Sequence, residues 1–231
     1  MKILAFDTSG NTASVAVLDE SNILAEFNIN HKKNHSLTLM PLIESALSCV
    51  ALSLNDCTHI ALSHGPGSFT GLRMGGATAK ALAHGTGLPI VAVPTLDALA
   101  YNIFMESEII APIMDAKRKE IYGCIYLCEN GKLKQLTPYL NEGFTEFLDR
   151  AKSLDSHVSF LGDGCFVHGE AIVKHGFSVA PSNNLLQRAS SVGLLALKHI
   201  TKGKTLSYSE LELEYLRKPQ AQRELEGKLS T

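Results

Sequence analysis

At 231 residues the chain is about one and a half times a ~150-residue domain, so one large domain or two of roughly 110 residues would fit. Apolar residues make up 45%, charged residues 19%, and the mean hydropathy is +0.07, which excludes a disordered, collagenous or low-complexity chain. With 21 Lys+Arg against 23 Asp+Glu the net charge is -2. The basic excess that announces direct binding to a phosphate backbone is therefore missing, and any nucleic acid would be held mostly by another chain.

Ile3–Phe6 is a short apolar run, Thr12–Leu18 is rich in small and β-branched residues, and Ile23, Ala25, Phe27 and Ile29 alternate with polar neighbours. These patterns predict three strands joined by tight turns. A helix follows from about Ser36 to Val50, with Pro41 expected to kink it or mark a restart. Then come a strand at Ile60–Ser63, a helix over Phe69–His84, a strand at Leu88–Val93, and a helix capped by Thr95 and running to about Met105. Strand alternating with helix implies parallel pairing and an α/β class.

The order then restarts. Ile109–Met114 is again an apolar strand closed by an aspartate, Asp115, as the first strand is closed by Asp7. A turn, the strand Ile121–Leu127, a turn at Glu129–Gly131 and the run Leu133–Leu136 follow, which predicts an internal duplication of supersecondary structure, read from pattern and not from residue identity. Two unrelated hairpins would be the alternative. Later elements are a helix near Glu146–Lys152, a strand at Val158–Leu161 ending in Gly162-Asp163-Gly164, and a long helix Leu185–Ile200. The polar tail after Lys202 carries one apolar cluster, Leu211, Leu213, Tyr215 and Leu216.

The stretch from His64 to Gly87 places glycines after a strand and at the opening of a helix, which is the layout of a phosphate-binding turn. Thr70 stands where a dinucleotide fingerprint needs its third glycine, and no Gly-Lys-Ser/Thr follows, so both standard nucleotide motifs fail. Inside the helix Gly71, Gly75, Ala79 and Ala83 fall four apart, a stripe almost without side chains that lets another backbone come close. That stripe can face the protein's own sheet or a helix of another chain. Each helical glycine costs about 1 kcal/mol relative to alanine, so a packing reason is required. His31 and His35 stand four apart but precede the helix start, which leaves metal geometry unassured. Asp7 and Asp115 face either a metal and phosphate or merely a turn.

The longest stretches free of Asp, Glu, Lys and Arg are 16 residues each and contain His, Gly and Pro, too short to span a bilayer. Asp7 follows the first apolar residues at once, leaving no room for a signal peptide, so a cytoplasmic location is expected. The five cysteines form no C-x-x-C pair and are expected to be buried free thiols, with Cys124 and Cys128 on one strand face.

Five segments carry a family resemblance: DTSGNTASVAV (7–17), HSLTLMPLIESAL (35–47), LSHGPGSFTGLRMGGATAKALA (62–83), VPTLDALA (93–100) and IMDAKRKEIYGCIY (113–126). They resemble the bacterial tRNA threonylcarbamoyladenosine biosynthesis family TsaB, also called YeaZ, with GPGSFTGLR the most distinctive stretch and YLRKPQAQ a looser match near the end. The resemblance implies an actin-like, heat-shock-chaperone-like ATPase fold (ribonuclease H-like) of two duplicated subdomains, 1–106 and 107–231, with the tail returning to the N-terminal part. It also implies a scaffold without catalysis or cofactor of its own, ATP and metal belonging to partner subunits. The family's paralogue TsaD carries a histidine pair for metal, and those places here hold Thr95 and Leu99, which cannot replace imidazole ligands. Partners implied are TsaD, the ATPase TsaE and, through the complex, tRNA whose adenosine beside the anticodon is modified. A homodimer is expected when the chain is alone. An actin-fold phosphotransferase or a metallopeptidase-like enzyme is the other function weighed, against which stand the missing H-E-x-x-H motif and the sparse glycines of the phosphate turns.

For the partner surface, Leu39, Leu42, Ile43, Ala46 and Leu47 recur at spacings of three and four and give the first helix one apolar face. Together with Gly71, Leu72, Gly75, Ala79 and Ala83 of the glycine-rich helix they are the expected interface, a four-helix contact with a paralogue of the same fold.

Overall fold

The computed structural model describes residues 1–31, 35–104, 108–154 and 157–217. Strands β1 (Lys2–Asp7), β2 (Thr12–Asp19) and β3 (Ile23–Asn30) form a meander, followed by α1 (His35–Cys49), β4 (His59–Ser63), α2 (Phe69–Thr86), β5 (Ile90–Val93) and α3 (Thr95–Ala100). The sheet order is β3-β2-β1-β4-β5, with β1 antiparallel to β2 and parallel to β4. β1 alternates between two cores. Leu4 and Phe6 face α1 and α2, whereas Ile3 and Ala5 face the opposite side. Burial on both faces explains why the central strands read as continuous apolar runs.

The second half repeats this plan: β6 (Ile109–Asp115), β7 (Glu120–Gly123), β8 (Tyr126–Glu129), β9 (Lys132–Gln135), β10 (Leu140–Gly143), α4 (Phe144–Leu154), β11 (Val158–Leu161), α5 (Cys165–Lys174), β12 (Ser178–Val179) and α6 (Ala189–Ile200). Its order, β10-β7-β6-β11-β12, reproduces that of the first sheet. β7 and β8 pair with β6 in one unbroken register, Ile113 opposite Gly123 and Ile109 opposite Leu127, so they are one strand interrupted opposite Pro112. Proline has no N–H to donate to the ladder. The third strand is split likewise: β9 pairs with β8 and β10 with β7, so the run expected at 133–136 is only its first part.

The halves exchange their last helices. α6 packs on β1, β2, β4 and β5 of the first sheet through Ala189, Val192, Leu195 and Ala196, and α3 packs on β6 through Leu96, Leu99 and Ala100. Polar contacts fix both exchanges. Ser14 Oγ accepts from Ala189 N at 2.7 Å and Glu26 Oε1 from Ser190 N at 3.0 Å, capping α6 with residues of the other half. Glu26 also pairs with Arg188; burial pushes its carboxyl up, but Arg188 and Ser190 outweigh that and hold it below the usual range. Reciprocally, the hydroxyls of Tyr126 and Tyr139 donate to Asp97 of α3 at 2.5 and 2.7 Å.

Several expectations are corrected. α1 runs unbroken through Pro41, which sits on its exposed face. α3 ends at Ala100 and continues as a 3-10 turn over Tyr101–Ile103, and Pro94 rather than Thr95 precedes it; Met105 lies outside the described residues. The last helix starts at Ala189 and not at Leu185, because the Leu185 and Leu186 carbonyls accept from Gly162 N and Asn102 Nδ2. α5 was not expected: Phe166, Val167 and Val173 stay exposed while Cys165 and Ile172 are buried, which blurs the helical period. Cys49 is exposed; Cys57, Cys124, Cys128 and Cys165 are buried free thiols, and burial pushes Cys165 up to about 12. Among the described residues no helix is long and apolar enough to cross a membrane.

Candidate functional site

β1 and β6 both end on an aspartate, and the two ends flank a cleft of about 290 Å³ between the halves, lined by Ser9, Gly10, Asn11, Gly67, Ser68, Asp115, Lys117 and Asp163 among others. Each aspartate makes the same local turn. Asp7 Oδ1 accepts from Ser9 N and Asp115 Oδ1 from Lys117 N, both at 2.8 Å, so the duplication extends to a side-chain turn two residues deep.

The electrostatics of the two turns differ because their neighbours differ. Asp7 is buried and also accepts from Ser9 Oγ at 2.6 Å and from Ser63 Oγ; burial pushes its carboxyl up, and these hydrogen bonds offset only part of that. Asp115 pairs with Lys117 Nζ at 2.6 Å; burial pushes it up, but Lys117 outweighs burial and holds it low. Asp163 is pushed up mainly by burial, and its Oδ1 accepts from Asp115 N at 3.0 Å. All three carboxylates are thus engaged by neighbours on their own chain. A nucleotide phosphate here would meet two acidic side chains and a lysine that is paired with one of them.

The glycine-rich turn is fixed by close approach. A Cβ on Gly71 would stand 2.0 Å from the Thr8 carbonyl oxygen, and one on Gly75 would stand 2.5 Å from Thr8 Oγ1. The small-residue stripe therefore faces the protein's own first turn and sheet. This corrects the expected interface: Leu39, Leu42, Ile43, Ala46, Leu47, Gly71, Leu72, Gly75, Ala79 and Ala83 are all buried within the chain. Their periodicity marked the inner face, as a core-facing stripe does. The outward positions of the same helices are Leu37 (74% exposed), Met40 (40%), Pro41 and Glu44 on α1, with Arg73, Ala77 and His84 on α2.

His35 Nε2 lies 2.9 Å from the Gly10 carbonyl, His31 is exposed, and no group of three metal-ligating side chains occurs among the described residues. Thr95 and Leu99 are both buried. The tail also takes part in this site. Leu206 exchanges backbone hydrogen bonds with Ile90, Glu214 N donates to the His64 carbonyl at 2.8 Å, and Arg217 donates to the Ala116 carbonyl at 2.8 Å and pairs with Glu120 at 3.1 Å. The strap thus runs along the first half and ends on the second. Gly65, at φ +130°, would place a Cβ 2.1 Å from the Glu214 carbonyl oxygen, so the strap requires glycine there.

A duplicated βββαβαβα unit around a cleft at the ends of its two first strands is an actin-like ATPase fold, here with its acidic ends internally satisfied. Component A of (R)-2-hydroxyglutaryl-CoA dehydratase from Acidaminococcus fermentans shares that fold, with TM-score 0.51 over 87% of this chain and 99% of that one at 12% identity. A Pseudomonas aeruginosa structure described as an uncharacterized protein with similarity to peptidase YeaZ superposes with TM-score 0.80, 25% identity, and coverage of 94% and 99%. The family model TsaD, tRNA N6-adenosine threonylcarbamoyltransferase, matches residues 22–224. The tRNA threonylcarbamoyladenosine biosynthesis protein TsaB of Bacillus subtilis is 39% identical over 172 residues, covering 74% of this chain and 75% of that protein. The chain belongs to this family, in its TsaB (YeaZ) branch.

Proposed function

We propose that the chain is the non-catalytic partner subunit of the complex that transfers threonylcarbamoyl to the adenosine beside the anticodon of tRNAs reading codons that start with A. It binds and activates the TsaD paralogue, with the ATPase TsaE joining them, in the cytoplasm. The observation that carries this reading is the engagement of Asp7, Asp115 and Asp163 by their own neighbours, in a chain of the TsaB branch. Each of these three carboxylates already has a partner on its own chain. Nucleotide and metal belong to the partner subunits, and the chain brings no cofactor.

The partner surface is the outer face of α1 and α2, centred on Leu37 and Met40, and the same face serves a homodimer when the paralogue is missing. Leu37→Glu and Met40→Glu leave the melting temperature unchanged and abolish co-purification with the paralogue. The function itself is tested by incorporation of labelled threonine into tRNA. The chain with the donor synthetase alone gives none, and adding the paralogue and ATPase restores it; sustained turnover without them would overturn the scaffold reading.

A further inference from the structure

The turn between β6 and β7 is built against the backbone's own preference. Lys117, Arg118 and Lys119 take φ values of 64°, 58° and 67°, three consecutive left-handed residues, none of them glycine or asparagine. Tertiary contacts hold the conformation: Ala116 N donates to the Glu120 carbonyl at 3.0 Å, Phe144 N to that of Lys119 at 3.4 Å, and Arg217 to that of Ala116. Lys117 folds back on Asp115, but the exposed side chains of Arg118 and Lys119 have no ion pair among the described residues. Strain held in place by surrounding structure clusters where a side chain has to be presented. Here it presents two adjacent free cations on a chain whose net charge is -2.

The strap that holds this turn also carries an aromatic group. The Arg73 guanidinium sits 3.8 Å above the Phe69 ring, and Phe69 meets Tyr215, 38% exposed, at 5.0 Å between ring centroids. Tyr215 and Arg217 are two residues apart on the strap, about 7 Å of backbone, and the Arg217 side chain reaches on to the Ala116 carbonyl beside the basic turn. Three nearby carboxylates are engaged: Glu120 pairs with Arg217, Glu214 faces His64 at 3.7 Å, and Glu210 accepts from Ser207, whereas Glu212 on the strap and Glu146 of α4 stay exposed. Exposed cations beside one exposed ring, Tyr215, whose partner Phe69 is half-buried against it, are the chemistry that takes phosphates and an unstacked base of a looped RNA.

We propose that the basic turn Lys117–Lys119 and the Phe69–Arg73–Tyr215 stack form an RNA-contact face, Arg118 and Lys119 taking phosphates and Tyr215, backed by Phe69, taking a splayed base. This rests on the tRNA-modifying role proposed above and names where this chain touches the tRNA. The small charge of the face makes it a secondary contact that orients an RNA gripped mainly by other subunits.

The test is a titration of fluorescently labelled, unmodified tRNA with the assembled complex across a salt series. Arg118→Asn/Lys119→Gly removes both charges with residues that accept the left-handed conformation, so melting stays at or above that of the parent. The expected result is about tenfold weaker binding and a salt slope smaller by about 1.4, two single-strand phosphate contacts. Tyr215→Leu weakens binding about fivefold and leaves the slope unchanged. Unchanged affinity and slope in an assembled complex overturn the proposal, and so does a double variant that loses the paralogue but binds RNA as before, which would make the face a protein contact. The isolated chain titrated with an unrelated RNA hairpin reads the same surface without the complex: the slope falls with the double variant, and an unchanged slope overturns the proposal. Failure of the parent chain to assemble or support transfer strikes the functional reading alone.

Discussion

The two halves are built on one plan and differ in continuity. β2 and β3 run eight residues each, whereas their counterparts are broken into β7 with β8 and β9 with β10. The second sheet nevertheless keeps its order and, across the break opposite Pro112, its register. Ladder continuity is therefore not what fixes the plan; burial on both faces and the exchanged helices do so. The closing aspartates make the same point at atomic scale. Both form one turn, but Ser9 leaves Asp7 buried among hydroxyls and Lys117 ties Asp115 to a cation.

The largest expected break in this comparison comes from Gly75→Arg. With Thr8 Oγ1 only 2.5 Å from an added Cβ, the variant loses more than about 4 kcal/mol of stability and fails to fold in a thermal melt. A folded variant that merely loses its partner would return the stripe to the surface. Next is Glu26→Ala, which leaves Arg188 unpaired and uncaps α6; a loss of about 3 kcal/mol in urea unfolding is expected. Its pH dependence has a fixed sign. The Glu26 carboxyl is held below its ordinary 4.5, so its contribution is present above that pH and is lost as the pH falls through the folded-state value. Parent and variant melts should converge in acid.

The smallest effects separate the two aspartates. Asp115→Asn removes a pair whose lysine is 78% exposed and costs about 0.5 kcal/mol at neutral pH. Asp7 is raised, so its stabilising contribution belongs to low pH and fades as the pH rises through its folded value. Asp7→Asn therefore costs least near neutrality, by calorimetry against pH, and neither variant alters tRNA modification by the complex. A hundredfold loss of modification without unfolding would give the cleft a catalytic role.

Much of the first half was legible because its signals are local. Alternation marked β3, the three-and-four spacing marked α1, and glycines after a strand marked the opening of α2, which the structure caps with Ser68 and ends at Gly87, φ +75°. The second half was legible only where its periods survived. α5 hid because its exposed apolar residues cover more than one face, and the split third strand was read as its first segment. The candidate site was half legible: both strand-closing aspartates were found, whereas the stripes expected at a partner face are buried within the chain. Helical spacing says that a stripe exists; it does not say whether the stripe faces the protein's own sheet or another chain.

By itself, the amino-acid sequence determined the α/β class, the repeat of strand and aspartate, the glycine helix, and the motifs that mark the TsaB branch, all of which depend on residues a few positions apart. The tertiary structure alone decided the exchange of α3 and α6, the capping of α6 by Ser14 and Glu26, the contacts of the strap with Ile90, His64 and Ala116, and the left-handed basic turn it holds. Those contacts join positions up to 175 residues apart. Their free energy comes from burial and hydrogen bonds that exist only once both halves are in place, so no local pattern carries a trace of them.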